Sequence, residues 1–416
     1  MGDVPTRVRD EQRAATEAAI LDAAWDQFAG FGPDGASLRD VAASAGCAHG
    51  LVAHYYGSKD GLVGAVSSQL AVGVDRATTR IMSSDEEPLI GFLNAARKHR
   101  SCLQLLVRSA LGDLPPRGFP QCLHADWFLS QLPGTVDDST PALGPDRRSR
   151  LCAYAAASLV IGFVTFEGFL IAATGLRPLA PRRRDRAIAS AARYLLDIAR
   201  VSEPRLAPRD LSAARVFLTA GAQPATSARE ALLGSAIELF SARGPASVSV
   251  RDIGRHAGVN QGLIYRHFGS KDALLAEALE RASSEMFPAA LAEKGFDFDA
   301  MSWLLHNGAQ APRLIARTLV DDVDISSVRR RFPILRRLVD LYDRVPSGAG
   351  PGNLSDPRVA VVATAGMALG SSIWCDHLRG SLGLGARDGI DVAIADLARV
   401  LVSAPFGPAD AAEERR

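Results

Sequence analysis

Lysine is nearly absent from this chain of 416 residues. Only four of the 47 basic residues are lysines, and all the others are arginines. Arginine suits bidentate contacts with phosphate groups, although an arginine- and alanine-rich composition is also what biased codon usage produces. The 46 acidic residues leave a net charge of +1. This balance excludes a uniformly basic surface but leaves room for a local basic patch.

Cysteine is scarce as well. None of the five cysteines belongs to a Cys-x-x-Cys pair. An odd, scattered set argues against a disulfide framework or a zinc ribbon, so we expect reduced thiols in a cytoplasmic protein. Cys122 and His124 lie close in sequence, but two ligands make an incomplete metal site. We therefore expect no metal and no cofactor.

Motifs that mark common enzymes are also missing. The chain contains no Gly-x-Ser-x-Gly, no His-Glu-x-x-His and no Walker lysine loop. The glycine-rich run at 348–352 contains a proline, which is typical of a surface loop and not of a phosphate cradle. The sequence therefore predicts a protein that is not an enzyme.

The chain repeats itself at an offset of 212 residues. Residues 17–62 align with 229–274 without a gap, and both blocks contain Gly-Ser-Lys-Asp near their end, at 57–60 and 269–272. A weaker similarity at an offset of 208 relates Gly162 and Phe166 to Gly370 and Trp374. Such internal similarity predicts two copies of one module of about 200 residues, joined by a stretch rich in proline and arginine.

Each copy predicts a helix-turn-helix. Apolar residues at helical spacing form one face of a first helix, from Ile20 to Phe28 in the first copy. Ser-x-x-Asp at 37–40 and 249–252 resembles a capping box that starts a second helix, and a glycine follows at the turn. A third helix, 49–55 or 261–267, with Leu51 and Leu263 directed inward, would be the one that enters a groove of DNA. An ordinary helical hairpin is the alternative, and finding two copies of the pattern weighs against it.

The segment from Gly262 to Leu274, Gly-Leu-Ile-Tyr-Arg-His-Phe-Gly-Ser-Lys-Asp-Ala-Leu, resembles the signature of TetR-type (tetracycline-repressor-like) transcriptional regulators. The resemblance implies an all-α fold, in which each copy is a three-helix DNA-binding head joined to a helical ligand-binding and dimerisation domain. It also implies that the two tandem modules form an intramolecular pseudo-dimer through helices 151–175, 182–201, 358–384 and 387–403. The expected domains are heads 8–60 and 227–272, regulatory domains 61–201 and 273–405, linker 202–226 and tail 406–416.

Two features of the sequence bear on whether the chain has a signal peptide or a membrane-spanning helix. Residues 1–15 are charged and contain no apolar run, so we expect no signal peptide. Residues 151–174 are apolar for long enough to cross a bilayer, and a single span or a buried central helix would both show this pattern. The corresponding helix of the second copy contains Asp376, His377 and Arg379, and we expect it to be unable to span. We therefore predict buried interface helices and no membrane partner.

The resemblance also implies which residues contact double-stranded DNA. In the second head, Asn260 would cap the recognition helix, Gln261 would read base edges, and Tyr265 would contact a phosphate. The full set expected in the second head is Ser249, Arg251, Asn260, Gln261, Tyr265, Arg266, His267 and Lys271. The set expected in the first head is Ser37, Arg39, His49, His54, Tyr55 and Lys59.

The two heads differ in composition. Ala48 and Ala53 stand in the first head where Asn260 and Tyr265 stand in the second. Residues 16–60 hold two basic and six acidic residues, a net charge of −4, whereas residues 228–272 hold six basic and four acidic, a net charge of +2. Since phosphate neutralisation dominates non-specific affinity, we expect the second head to supply most DNA affinity. The basic residues at 7, 9 and 13 would form an arm along the minor groove or a frayed terminus.

The function predicted from these features is that of a ligand-responsive DNA-binding regulator, most simply a repressor, on an operator that need not be symmetric. The alternative is a sensor or interaction protein in which the first head, or both heads, no longer bind DNA. A small apolar ligand is expected, and further dimerisation of the chain stays open. Pocket candidates, which plain core packing would equally explain, are Cys102, Leu106, Trp127, Phe128, Phe163, Phe166, Phe169, Trp303, His306, Leu319, Phe332, Trp374 and His377.

Overall fold

The fold is all-α throughout the part of the chain that the structure, a computed structural model, describes. The described residues are 4–82, 87–112, 125–132, 146–176, 180–200, 227–286, 310–321, 357–385 and 389–403. The predicted linker and tail lie outside these ranges, as do Cys122 and His124. No strand occurs among the described residues.

The helices of the first copy form a head and a regulatory domain. The helices of the head are α1 (Val4–Gly35), α2 (Leu38–Ser44) and α3 (His49–Tyr56). The helices that follow are α4 (Lys59–Met82), α5 (Pro88–Lys98), α6 (Arg100–Ala110), α7 (Ala125–Ser130), α8 (Arg147–Thr174) and α9 (Pro181–Asp197), after which Ile198–Arg200 form a 3-10 turn.

The second copy repeats this order in its described residues. The helices of its head are α10 (Ala228–Arg243), α11 (Val250–Ala257) and α12 (Gly262–Phe268). They are followed by α13 (Lys271–Met286), α14 (Gln310–Val320), α15 (Pro357–Ser381) and α16 (Ile390–Ser403).

The head helices form because local signals agree with the apolar pattern. Ser37 and Ser249 each make the predicted capping box with the aspartate three residues later, which satisfies amide donors at the start of α2 and α11. The central apolar positions of the first helix are fully buried in both heads: Ile20, Ala24 and Phe28 in α1, and Leu232, Ala236 and Phe240 in α10. The predicted start of the second helix and the predicted apolar face of the first helix are therefore confirmed in both heads.

One expectation about the third helix is wrong. Leu51 is 37% exposed, and Val52 beside it is buried instead, 1% exposed. Ile264 is likewise fully buried, while Leu263 is half-buried at the edge of the core. The inward face therefore falls one residue later along each short helix than predicted, because a helix of seven or eight residues offers too few apolar positions to fix its phase.

The backbone of the N-terminal arm is helical. Helix continues from Val4 through the whole of α1, so that Arg7 and Arg9 lie in a helix and not in a frayed end, and contact of the arm with the minor groove stays a prediction. Arg13 stands over the ring of Tyr55, 5.9 Å from its centroid. Near its other end α1 bends at Gly32, which has a φ of 72°, a conformation that favours glycine.

The two copies pack against each other through α8 and α15. A Cβ on Gly162 would lie 2.0 Å from the carbonyl oxygen of Gly366, and one on Gly370 would lie 2.0 Å from that of Ser158. The backbones of the two helices therefore approach more closely than any larger residue permits. Beside the crossing, the Tyr154 hydroxyl and the Ser371 hydroxyl share a buried hydrogen bond of 2.9 Å. α9 and α16 each contact both of these helices and also contact each other, so that the four helices form one packed bundle.

Both crossing helices are long and apolar enough to cross a membrane by length and composition. The expectation that Asp376, His377 and Arg379 exclude a span in the second copy is thus wrong on composition, because this helix contains an 18-residue window that is apolar enough despite them. In the fold, 72% of the window in α8 and 83% of that in α15 are buried. Burial of this extent is typical of central helices in a globular protein, and these two helices cover each other.

Candidate nucleic-acid interface

The second head presents a short helix, α12, behind a tight turn. Gly258 ends α11 with a φ of 68°, the left-handed conformation that the sequence predicts for this position. The Asn260 side chain then accepts a hydrogen bond of 2.8 Å from the Gly262 amide at the start of α12. Gln261 is the N-cap residue of α12 and its side chain makes no capping hydrogen bond, so the expectation that Asn260 is the N-cap is wrong by one position. The Asn260 side chain instead satisfies the first amide of the helix from two residues upstream.

Most residues predicted to contact DNA from the second head lie on its surface. Tyr265 is 57% exposed, although it is a large aromatic residue with a buried neighbour on the same helix. An exposed tyrosine of this kind indicates a binding face more than core packing. The remaining exposed members of the predicted set are Ser249, Arg251, Asn260, Gln261, Arg266 and His267.

Lys271 takes a different position. It is half-buried, and its ammonium group donates a hydrogen bond to the carbonyl oxygen of Pro245. Burial lowers its pKa. The side chain therefore ties the start of α13 to the loop after α10, and a phosphate would have to compete with this carbonyl for it.

The first head has the same three helices but lacks some of the side chains that form this surface in the second head. Ala48 precedes α3 with no side-chain cap, and Ala53 is exposed where the second head has Tyr265. Tyr55 and Tyr56 are half-buried, and the Tyr56 hydroxyl donates a hydrogen bond of 3.0 Å to the Glu17 carbonyl on α1. The other members of the predicted set are Ser37, Arg39, His49 and His54, which are exposed, and Lys59, which is half-buried.

Buried arginines that the sequence reasoning missed join the heads to the helices behind them. In the first copy, the Arg108 guanidinium donates to the carbonyl oxygens of Ala29 and Gly30 at 3.0 and 2.6 Å. In the second copy, Arg317 donates to the Ala242 carbonyl at 2.7 Å. Gly30 and Ala242 correspond at the repeat offset of 212. In both copies, a buried arginine therefore donates to the corresponding backbone carbonyl near the end of the first head helix. In the sequence, these residues could have been found as arginines on the otherwise apolar faces of α6 and α14.

A cavity of about 300 Å³ lies between the two copies. Its walls come from α5, α6 and α8 of the first copy and from α14 of the second. The apolar part of the lining consists of Leu103, Val107, Val164, Leu319 and Val320. Because both copies contribute, a molecule bound there would contact both.

Charged groups close one side of the cavity. Arg97 makes two hydrogen bonds to Glu167, both of 2.9 Å, and two to Asp185, of 2.6 and 2.7 Å. Arg97 and Glu167 both line the cavity. Arg184 also donates a hydrogen bond of 3.3 Å to Glu167. Two arginines thus face two carboxylates, and the cavity combines apolar walls with a nearly neutral polar edge.

The residues predicted for a pocket lie mostly elsewhere. Leu319 lines the cavity, and Cys102 and His377 are half-buried. Trp303, His306 and Phe332 lie outside the described residues. The remaining candidates are buried in the packing between helices: Leu106, Trp127, Phe128, Phe163, Phe166, Phe169 and Trp374.

Comparison with known proteins bears on the two heads directly. The family model described as bacterial regulatory proteins, tetR family, matches the chain twice, at residues 20–66 and 232–278. The HTH-type transcriptional repressor Rv3405c of Mycobacterium tuberculosis is 31% identical over 155 residues, which is 37% of this chain and 77% of that protein. The chain belongs to the TetR family.

Two further TetR relatives match shorter stretches. The HTH-type transcriptional regulator BetI of Agrobacterium fabrum is 28% identical over 119 residues, 28% of this chain and 58% of that protein. The regulator AcrR of Shigella flexneri is 39% identical over 64 residues, 15% of this chain and 30% of that protein. Membership of the TetR family makes this chain a DNA-binding transcriptional regulator, and the two matches to the family model confirm the tandem duplication.

Proposed function

We propose that this TetR-family chain is a ligand-responsive repressor that binds its operator as a single-chain pseudo-dimer. The crossing of α8 and α15 carries the proposal, because it buries the apolar faces of two corresponding helices against each other within one chain. In such a molecule two recognition helices are held together without a second chain. Linking them in one chain replaces association by an effective concentration in the millimolar range.

The DNA-binding surface of the second head is the stronger one in this proposal. It combines the exposed Tyr265 with the exposed Arg251 and Arg266, whereas the first head has a net charge of −4 in the matching window. Exposed cations set the salt-dependent part of DNA affinity. We therefore propose that the first head binds weakly or reads a different half-site, so that the operator is asymmetric.

The effector would occupy the cavity between the copies. Its volume of about 300 Å³ is at the lower end of small-molecule sites, and its lining suits a small, mostly apolar ligand. A ligand that prefers one arrangement of the two copies would shift the arrangement of the heads. Repression is proposed because the relative from Mycobacterium tuberculosis is named a repressor. The site of action is DNA in the cytoplasm, and the family gives no reason to expect an enzyme.

Selection of duplex DNA tests the proposal. The full-length chain is incubated with duplexes of random sequence long enough for two half-sites one helical turn, roughly 34 Å, apart. We expect enrichment of two unlike half-sites in a 1:1 complex whose protein mass is 44.0 kDa. Tyr265→Ala should lose more affinity than Tyr55→Ala. Equal losses would contradict the proposed difference between the two heads. A stable species of twice the mass would show that the chain dimerises further.

A second function is favoured by one observation. Residues 16–60 of the first head have a net charge of −4, which suits contact with a basic partner better than contact with DNA. If selection enriches a single half-site only, the first head is an interaction module, and the chain is a sensor with one DNA-binding head.

A further inference from the structure

We propose that the ion pair between Arg108 and Asp321 fixes the spacing of the two heads and thereby determines which half-site spacing the chain accepts. The inference rests on the proposed function, because it concerns two heads that bind one DNA molecule. It assigns a positioning role to two residues that lie far from the DNA-binding faces.

The pair joins the two copies at the point where each head is attached. The Arg108 guanidinium and the Asp321 carboxylate approach to 2.8 Å, and their side chains are only 1% and 0% exposed. The same guanidinium holds the carbonyls of Ala29 and Gly30 at the end of α1. The other oxygen of Asp321 accepts a hydrogen bond of 2.8 Å from the Ala246 amide, between α10 and α11. A continuous chain of polar contacts therefore runs from one head to the other.

Two corresponding glycines make room for the pair. A Cβ on Gly32 would lie 3.0 Å from a terminal nitrogen of Arg108, and one on Gly244 would lie 2.6 Å from an oxygen of Asp321. Both glycines have positive φ, 72° and 84°, and they correspond at the offset of 212. Each partner of the ion pair thus reaches the backbone bend at the end of the first helix of one head.

The heads also approach each other beside the pair. A Cβ on Gly35 of the first head would lie 3.6 Å from the Ser247 hydroxyl of the second. Because a buried ion pair lies in a medium of low dielectric, separating its charges is unfavourable. Rotation or sliding of one head against the other would require that separation, so the pair restricts the relative position of the heads.

The second copy has an arginine that corresponds to Arg108. Arg317, the counterpart of Arg108, donates to the carbonyl of Leu111 in the first copy at 3.1 Å. The residue four positions after Arg108 is Gly112, whereas the residue four positions after Arg317 is Asp321. Asp321 therefore has no acidic counterpart at position 112 of the first copy.

The sequence neighbours of both partners line the cavity. Val107, next to Arg108, and Val320, next to Asp321, both line it. A molecule that pushes α6 and α14 apart would therefore act on the two residues that hold the heads, and the ion pair would connect cavity occupancy with head spacing.

The test compares half-site spacing in DNA selected by the wild type and by two variants of the full chain. Asp321→Asn removes the charge of the carboxylate. Arg108→Leu/Asp321→Asn removes both charges, so that no unpaired buried charge remains to unfold the protein. The probe is a set of duplexes that carry the two half-sites selected by the wild type, separated by a series of spacings. Circular dichroism and thermal unfolding confirm that each variant is folded.

The wild type should prefer one spacing over its neighbours by roughly tenfold, within the usual range of coupling between sites. In both variants this preference should fall below about threefold, while each half-site alone is bound as before. The control is Tyr154→Phe, which also removes a buried polar contact between the copies but does not touch a head. It should keep the preference of the wild type.

A double variant that is folded and retains the wild-type spacing preference would overturn the inference. The same holds if Tyr154→Phe loses the preference equally, because the effect would then follow from any weakening of the contact between copies. If the wild type enriches no pair of half-sites, the proposed function fails, and this outcome is distinct from the other two.

Discussion

Gly162 of α8 and Gly366 of α15 are in direct backbone contact across the boundary between the two copies. A Cβ on Gly162 would lie 2.0 Å from the carbonyl oxygen of Gly366 and 2.8 Å from the Cα of Gly370. Real atoms do not approach so closely, so a larger residue would force the two helices apart. The contact is surrounded by buried apolar residues of both helices, so such a shift would reduce packing along both of them.

We expect Gly162→Ala to destabilise the protein by about 1–3 kcal/mol or more, the usual cost of overpacking. The measurement is chemical denaturation followed by circular dichroism. Gly168→Ala on the same helix is the matched control, because a Cβ there meets no atom within 4 Å. That variant should be neutral or more stable by roughly 0.5–1 kcal/mol, since alanine favours helix. If both variants behave alike, the close crossing does not exist in solution.

The capping box of the second head gives a prediction about pH. Hydrogen bonds from the Ser249 hydroxyl and from its backbone amide hold the pKa of Asp252 below its ordinary value of 3.8. Because the folded state lowers this pKa, the stabilisation is complete above the unfolded value. It is lost as the pH falls through the lower folded value.

The stability difference between the wild type and Asp252→Asn should therefore be constant near neutral pH and shrink below about pH 4. Urea denaturation at a series of pH values measures it. The Asp40→Asn variant should behave in the same way, because the Ser37 hydroxyl and amide lower the pKa of Asp40 likewise. A difference that grows on acidification would contradict the assignment of both capping boxes.

Local features of the heads could be predicted from the sequence, and the contacts between the copies could not. The capping boxes and the glycine turns depend on residues within a few positions of each other, so the pattern contains all the partners. The inward face of α3 was placed one residue too early because a short helix offers too few positions to fix its phase. Arg108 and Asp321 are 213 positions apart, and their pairing exists only once the copies have packed.

The basic surface of the second head predicts how DNA binding depends on salt. Arg266 is exposed on α12, where a phosphate contact would release a counterion from the DNA. Arg266→Ala should weaken binding to all duplexes to a similar extent and reduce the slope of log K against log salt by about 1. Fluorescence anisotropy at several salt concentrations gives this slope. Arg182→Ala, which changes an exposed arginine on α9, should leave it unchanged, and a smaller slope in that control would indicate a general effect of net charge.

The exposed Ala53 predicts that DNA binding by the first head can be strengthened. It occupies the position of Tyr265, whose hydroxyl is proposed to donate to a phosphate. Ala53→Tyr would restore that donor at a site with no large side chain in the way, because Ala53 is exposed on α3. A hydrogen bond contributes about 0.5–1.5 kcal/mol net, so affinity for the complete operator should rise roughly two- to tenfold. Ala53→Phe supplies the ring without the hydroxyl and should give a smaller gain. Equal gains from the two variants would assign the effect to apolar contact, and no gain from either would place α3 away from the DNA.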